Sequence, residues 1–196
     1  MRIMNVKRAI IIFLMIGIMV IISGCARWPY GPEPEPGEKN YQLTITVEIN
    51  EDGVINTTDG IYYIVLDTDI DYSASADSGF FYWGDDFYYI KLDNWGFYFA
   101  QKEEGSPELY LTDNLISGNK IQVTIALSDL EDPNSIDINV VTTDSENNTY
   151  DHLDSYFTIS TVLGFAVTRE DSEGDSGDGG AGFDIVKVTA VITTLY

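Results

Sequence analysis

The sequence is poor in the side chains that most often carry redox chemistry, acid–base catalysis or nucleic-acid binding. Of its 196 residues only one is a cysteine, Cys25, and only one is a histidine, His152. Ten Lys and Arg residues stand against 32 Asp and Glu residues, for a formal net charge of −22. A single cysteine excludes an intramolecular disulfide. The shortage of basic side chains disfavours binding to nucleic acid or to a bare anionic membrane.

The same scarcity argues against an enzyme. Nucleophilic catalysis of the Ser/His/Asp or Cys/His kind would need His152 to supply the base alone. This histidine lies between Asp151 and Asp154 near the start of a strand, and we interpret it as structural. A pair of carboxylates could in principle hydrolyse glycosides, but among so many acidic residues spacing singles out no pair. A glycoside hydrolase therefore stays an alternative without support.

The first 24 residues are typical of an export signal. Arg2, Lys7 and Arg8 precede an almost wholly apolar run over residues 9–22. The run is shorter than the roughly 20 residues that cross a bilayer comfortably. A retained membrane helix is the alternative interpretation.

Ile22-Ser23-Gly24-Cys25 resembles the lipobox of bacterial lipoproteins, where an aliphatic and two small residues precede an invariant cysteine. The resemblance implies that Cys25 carries a diacylglyceryl group and becomes the new amino terminus, with a further acyl chain such as palmitate. Two or more acyl chains anchor a protein stably, whereas one holds it reversibly. We therefore expect an exported cell-envelope protein, anchored to the membrane through lipid.

Residues 25–40 are predicted to form a spacer. Alternating prolines and glutamates between Pro32 and Pro36 favour an extended polyproline II shape. Removal of Arg2, Lys7 and Arg8 with the signal takes the formal charge of the mature chain from −22 to −25.

Residues 41–196 are predicted to form one all-β domain. Short segments of alternating apolar and polar residues are separated by Gly, Asn, Asp or Pro, a pattern typical of an antiparallel β-sandwich or barrel. The predicted strands are 41–50, 61–67, 87–92, 96–101, 108–111, 120–127, 135–142, 155–161, 163–168 and 185–193. Helical patterns are limited to one or two turns, at 112–116 and 128–130. The acidic, glycine-rich segment 170–182 is expected to be a mobile loop.

Leu127-Ser128-Asp129-Leu130 ends the alternating segment 120–126, and Asp151-His152-Leu153-Asp154 follows the next strand. With the acidic end of Ile61–Asp67, this order resembles the DOMON-like binding modules, among them family 9 carbohydrate-binding modules and the C-terminal module of glucodextranase-like proteins. The resemblance implies a sandwich, DOMON-like or immunoglobulin-like, with a surface for sugars or sometimes haem. Haem is not expected, because the four methionines all lie within residues 1–19.

Four carboxylates form a candidate calcium site. Asp67, Asp69 and Asp71 occupy alternate positions along the chain, and Asp77 follows. This pattern indicates a calcium site because hard cations require several oxygen ligands on a turn. Tyr72 and Ser78 stand where an EF-hand needs glycine and glutamate, so that motif is excluded. The alternative is a solvated acidic loop.

Eleven aromatic residues lie between positions 80 and 99, more than two strands can hide on their inward faces. Exposed rings would stack on sugars while nearby carboxylates bind hydroxyls. The candidate ligand-binding residues are Trp83, Trp95, Tyr82, Asp85 and Asp86, and the two tryptophans are expected to be exposed. The alternative is that the rings cover the sandwich ends. The sequence thus predicts a non-catalytic lipoprotein that binds a glycan or a surface protein, with a structural or adhesive calcium-binding envelope protein as the rival.

Overall fold

The computed structural model describes residues 41–69, 83, 87–103, 105–162, 164, 166–171 and 179–194. The chain divides into two units between Glu38 and Lys39, and every described residue belongs to the second. The predicted signal segment, Cys25 and the spacer lie outside the described residues.

The described part is all-β, with one short helix. Its strands are β1 (Tyr41–Ile49), β2 (Ile61–Asp67), β3 (Tyr88–Asp93), β4 (Gly96–Gln101), β5 (Leu109–Tyr110), β6 (Asn114–Ser117), β7 (Lys120–Ala126), β8 (Ser135–Thr143), β9 (Thr149–His152), β10 (Phe157–Ser160), β11 (Ala166–Glu170) and β12 (Ile185–Thr194). A 3₁₀ helix spans Leu127–Leu130, and Glu131 closes it in the left-handed conformation with φ 61°.

The strands form two antiparallel sheets. The first sheet has the order β11-β12-β1-β7-β6, so the first and last strands of the domain are neighbours. The second sheet has the order β10-β8-β2-β3-β4-β5, with β9 paired to β8 beside β10.

One apolar core lies between the sheets, which makes the fold a β-sandwich. Alternate residues of β1 point into it, namely Leu43, Ile45, Val47 and Ile49, because side chains alternate between the faces of a strand. Full burial of each such side chain stabilises the fold by roughly 1.5–3 kcal/mol.

The second sheet is also covered on its outer face. Tyr63, Val65, Tyr89 and Val141 form a smaller apolar cluster there with Trp83 and Phe87. This is why β2 and β3 are apolar at nearly every position, whereas the strands of the first sheet alternate. The outer cluster includes three of the eleven aromatic residues between positions 80 and 99, namely Trp83, Phe87 and Tyr89.

The two ends of the sandwich carry different elements. Tyr41 pairs with Thr194 near the 3₁₀ helix at one end. At the other end, Val47 and Ile121 of the first sheet meet Leu92 and Phe97 of the second across the core. The turn between β3 and β4 therefore lies at the end opposite Tyr41.

The strand predictions from alternation are largely confirmed, with end shifts of a few residues. The helical expectation for residues 112–116 is wrong, because Asn114–Ser117 pairs with β7 through a turn at Gly118. The strand Thr149–His152 was not predicted. In the segment 170–182, residues 172–178 lie outside the described part. Backbone hydrogen bonds from Asp171 to Val186 and from Phe183 to Gly180 hold its flanks.

Candidate functional site

The turn between β3 and β4 presents Trp95 to solvent. The Asp93 carboxylate accepts a hydrogen bond from the backbone N–H of Trp95 at 2.8 Å, the short-range bond that favours Asp in turns. Gly96 follows with φ 128°, a backbone conformation that other residues rarely adopt. The turn thus holds the indole clear of the sheet, with Trp95 77% exposed.

A row of side chains crosses the outer face of the second sheet beside this turn. Lys91 on β3 is the register partner of Tyr98 on β4, which in turn pairs with Tyr110 on β5. The rings of Tyr98 and Tyr110 meet edge to face with centroids 5.7 Å apart. Because β5 is the edge strand, Tyr110 is 62% exposed.

Lys91 is the centre of a charged network beside the Tyr98 ring. Its Nζ atom lies 2.7 and 2.6 Å from the two carboxylate oxygens of Glu108 and 3.4 Å from Asp93. The same ammonium lies 5.0 Å from the centroid of the Tyr98 ring. The Tyr89 hydroxyl donates to Glu108 at 3.1 Å. Burial, and then the nearby Glu108 charge, raise the pKa of Tyr89, so its hydroxyl stays protonated and donating.

We call this surface the aromatic edge. It comprises Trp95, Tyr98, Tyr110, Lys91, Asp93 and Glu108. Flat exposed rings beside hydrogen-bonding groups form a surface on which a sugar ring can stack while its hydroxyls bind polar atoms. Apolar Leu109, Leu115 and Ile116 are exposed along the same side of the sandwich, where β5 and β6 are the edge strands.

The space between the sheets is a poor alternative site. The cavity there is small and lined by apolar side chains and the ring of Tyr62. Such a cavity stays dry and has no room for a sugar.

The two tryptophans among the candidate ligand-binding residues have different environments. The expected exposure of Trp95 is confirmed, but that of Trp83 is wrong, since Trp83 is only 4% exposed. Its ring packs edge to face on Tyr63 with centroids 5.3 Å apart, and Lys102 donates to its carbonyl at 2.7 Å. Trp83 therefore offers no face for stacking. Tyr82, Asp85 and Asp86 lie outside the described residues.

The candidate calcium ligands are only partly described. Asp67 accepts a hydrogen bond from the backbone N–H of Asp69 at 2.9 Å and lies directly opposite Asp137 of β8. Asp71 and Asp77 lie outside the described residues. Within the described ranges, no group of three or more His, Cys, Asp and Glu side chains is placed to hold a metal ion.

Lys91, Glu108 and Tyr110 were not among the predicted site residues. Glu108 and Tyr110 lay within a predicted strand, but only the register of β3, β4 and β5 brings them beside Lys91. His152 is half-buried, and its Nδ1 lies 2.9 Å from the Leu153 carbonyl oxygen.

Among the described residues, no helix is long and apolar enough to cross a membrane. No protein-family model, curated protein or solved structure matches the chain.

Proposed function

We propose that the protein is a cell-surface lipoprotein, anchored through Cys25, whose sandwich binds carbohydrate at the aromatic edge without catalysis. The observation that carries the proposal is the position of exposed Trp95 and Tyr110 beside the ion pair of partly buried Lys91 with exposed Glu108. A monomeric protein rarely exposes several large rings together unless they bind something. The lipobox of residues 22–25 and the proline-rich spacer support display outside the membrane. The resemblance of residues 127–130 and 151–154 to DOMON-like modules adds support, because those modules are binding sandwiches.

The aromatic edge is a small, open surface and not a deep pocket. Such a surface fits one or two sugar rings. Stacking supplies most of the affinity at such a surface, because the rings are held in place by the turn and by edge-to-face packing. The polar groups then orient the sugar.

Sugar binding is tested by affinity electrophoresis of the full chain, purified in detergent, through native gels that contain soluble neutral polysaccharides. β-Glucan, galactomannan and dextran serve as probes. We expect retardation in at least one gel. Trp95→Ala or Tyr110→Ala should lower the affinity for that polysaccharide about tenfold, which corresponds to somewhat more than 1 kcal/mol, as for a central interface residue.

Tyr156→Ala is the matched control, because Tyr156 is also exposed but precedes β10, at the opposite side edge of the second sheet. Retardation in none of the three gels, or an equal loss with Tyr156→Ala, would count against the aromatic edge as a sugar site.

A calcium-binding envelope protein is the second candidate, and one observation favours it. Asp67 and Asp137 are direct cross-strand partners, and like charges placed so destabilise a sheet. A cation bound between them would remove the repulsion.

Calcium should then raise the unfolding temperature of the full chain above its value in a chelator, by mass action on the folded state. Asp137→Asn should abolish the increase and itself stabilise the calcium-free protein. Equal melting temperatures with calcium and with chelator would exclude this candidate.

A further inference from the structure

The positive charge at the aromatic edge is already neutralised within the protein. Lys91 is the only basic residue between Tyr88 and Gln101, and residues 108–117 contain none. Both oxygens of the Glu108 carboxylate bind its Nζ atom, with Asp93 as a second partner. The Lys91 side chain is only 15% exposed. Lys91, the one cation of this surface among the described residues, is therefore partly buried and already paired before a ligand arrives.

Two carboxylates against one ammonium leave the surface with one net negative charge. The chain as a whole carries −22. A uronic acid or another anionic sugar would approach against this field and would have to displace Glu108 from Lys91 to gain a partner. Juxtaposition of like charges is an effective way to reject a wrong ligand.

A cationic sugar is not repelled by this field, but the carboxylates that would pair with it are already engaged within the protein. The Glu108 carboxylate is occupied by Lys91 and by the Tyr89 hydroxyl, and Asp93 caps the turn at Trp95. The ring faces of Trp95 and Tyr110 are open to a ligand and attract the apolar faces of neutral sugars, whose hydroxyls can donate to the acceptor sites that remain on the carboxylates.

We propose that the aromatic edge selects uncharged over anionic glycans, and that Glu108 sets this selectivity by holding Lys91. The inference rests on the proposed sugar-binding function and adds the class of sugar. Glu108 acts as a specificity-determining residue: replacing its carboxylate by an amide leaves the shape of the site but removes the closer carboxylate partner of Lys91, so that only Asp93, at 3.4 Å, competes with an anionic ligand for the ammonium.

The test compares gels containing neutral β-glucan, galactomannan or dextran with gels containing polygalacturonate, at equal ionic strength. The full chain should be retarded by a neutral polymer and not by the acidic one. Glu108→Gln should bind polygalacturonate at least about tenfold more tightly than the unaltered chain, the factor that about 1.4 kcal/mol provides. Added salt should remove the new binding, since it is electrostatic.

Glu48→Gln is the matched control. Glu48 also accepts hydrogen bonds from lysines, Lys120 and Lys187, but on the first sheet. Glu48→Gln changes the net charge by the same amount as Glu108→Gln. If only Glu108→Gln gains binding to polygalacturonate, the effect is located at the aromatic edge. The double variant Lys91→Gln/Glu108→Gln should lose the gain, which identifies Lys91 as the acceptor of the anionic sugar.

The outcomes separate the two proposals. No retardation by any of the three neutral polymers removes sugar binding itself. Retardation of the unaltered chain by polygalacturonate as strongly as by a neutral polymer overturns the selectivity while sugar binding stands. Equal gains in Glu108→Gln and Glu48→Gln, or a gain that survives in the double variant, overturn the role of Glu108. Circular dichroism shows whether each variant is folded, and the neutral-against-acidic comparison needs no variant.

Discussion

The ring of Tyr110 lies directly on Gly96. A Cβ atom at position 96 would come within 3.0 Å of Cε2 and 3.2 Å of the hydroxyl oxygen of Tyr110, closer than van der Waals contact. The backbone of Gly96, with φ 128°, would strain any other residue as well. One glycine thus permits both the turn that exposes Trp95 and the position of the neighbouring ring.

Gly96→Ala is therefore expected to lower the free energy of unfolding by about 1–3 kcal/mol and to weaken retention by neutral polysaccharide. Urea denaturation and affinity electrophoresis measure the two effects. Gly118→Ala is the control, because Gly118 also has a positive φ, 63°, but no atom lies within 4 Å of its added Cβ. A Gly118→Ala variant that loses as much sugar binding would contradict the proposed role of the Tyr110 contact.

Tyr62 should make the domain sensitive to alkali. Burial raises the pKa of Tyr62 to about 12, although the hydrogen bond from the Asn56 N–H opposes this. The folded state then holds the phenolic proton more tightly than the unfolded state, whose value is 10.0. Stability is therefore complete below pH 10 and falls as the pH rises toward 12.

Tyr62→Phe should flatten this loss. It removes the bond to the Gly182 carbonyl as well, so stability at neutral pH should fall by about 1–3 kcal/mol. Urea denaturation at several alkaline pH values, with tyrosinate absorbance followed in parallel, measures both changes. If Tyr62→Phe loses stability with rising pH as steeply as the unaltered chain, other tyrosines cause the loss. Tyr63 and Tyr89 are candidates, because their pKa values are also raised.

Glu48 should contribute stability that is lost in acid. Partial burial alone would raise its pKa, but the hydrogen bonds and charges of Lys120 and Lys187 outweigh burial and lower it. A lowered carboxyl pKa gives stability that is present above the unfolded value of 4.5 and is lost as the pH falls through the folded value.

Glu48→Gln is expected to remove no more than about 1 kcal/mol at pH 7, because both lysines are substantially exposed. The difference from the unaltered chain should shrink at pH 3, well below the 4.5 of an ordinary glutamate. Thermal unfolding at the two pH values is the measurement, and a difference that grows in acid would be contrary to this prediction.

Cys25→Ser tests the anchor. The chain should be recovered with membranes and labelled metabolically by a palmitate analogue, whereas Cys25→Ser should take up no label. The Trp95→Ala variant serves as a control that should be labelled normally. A labelled Cys25→Ser chain would contradict lipidation at this residue.

The difference between Trp83 and Trp95 shows what the sequence could and could not predict. Both lie next to a glycine in a loop-like context. The Trp95 environment is local, since Asp93 and Gly96 define the turn within four residues. Trp83 is buried by contacts with Tyr63 and Lys102, which lie about twenty residues away on either side along the chain.

For the strands and the candidate site, too, features set by neighbouring residues could be predicted, and features set by strand register could not. Alternation predicted β1 and β2 closely because each strand shows it locally. The pairing of Lys91 with Glu108 depends on the register of three strands, which no local pattern specifies. The helical expectation for residues 112–116 failed for this reason too, because Ile116 pairs across the turn with Ile121.

The opposed ends of the sandwich decide how the protein would be displayed. The domain begins at Tyr41, beside Thr194, and the Trp95 turn lies at the far end. The nine residues of β1 span about 30 Å, at about 3.3 Å per residue. If the chain is tethered through Cys25, the spacer joins the domain at the Tyr41 end, and the proposed sugar site lies at the opposite end of the same domain. The length of the sandwich would then separate the proposed sugar site from the point of attachment.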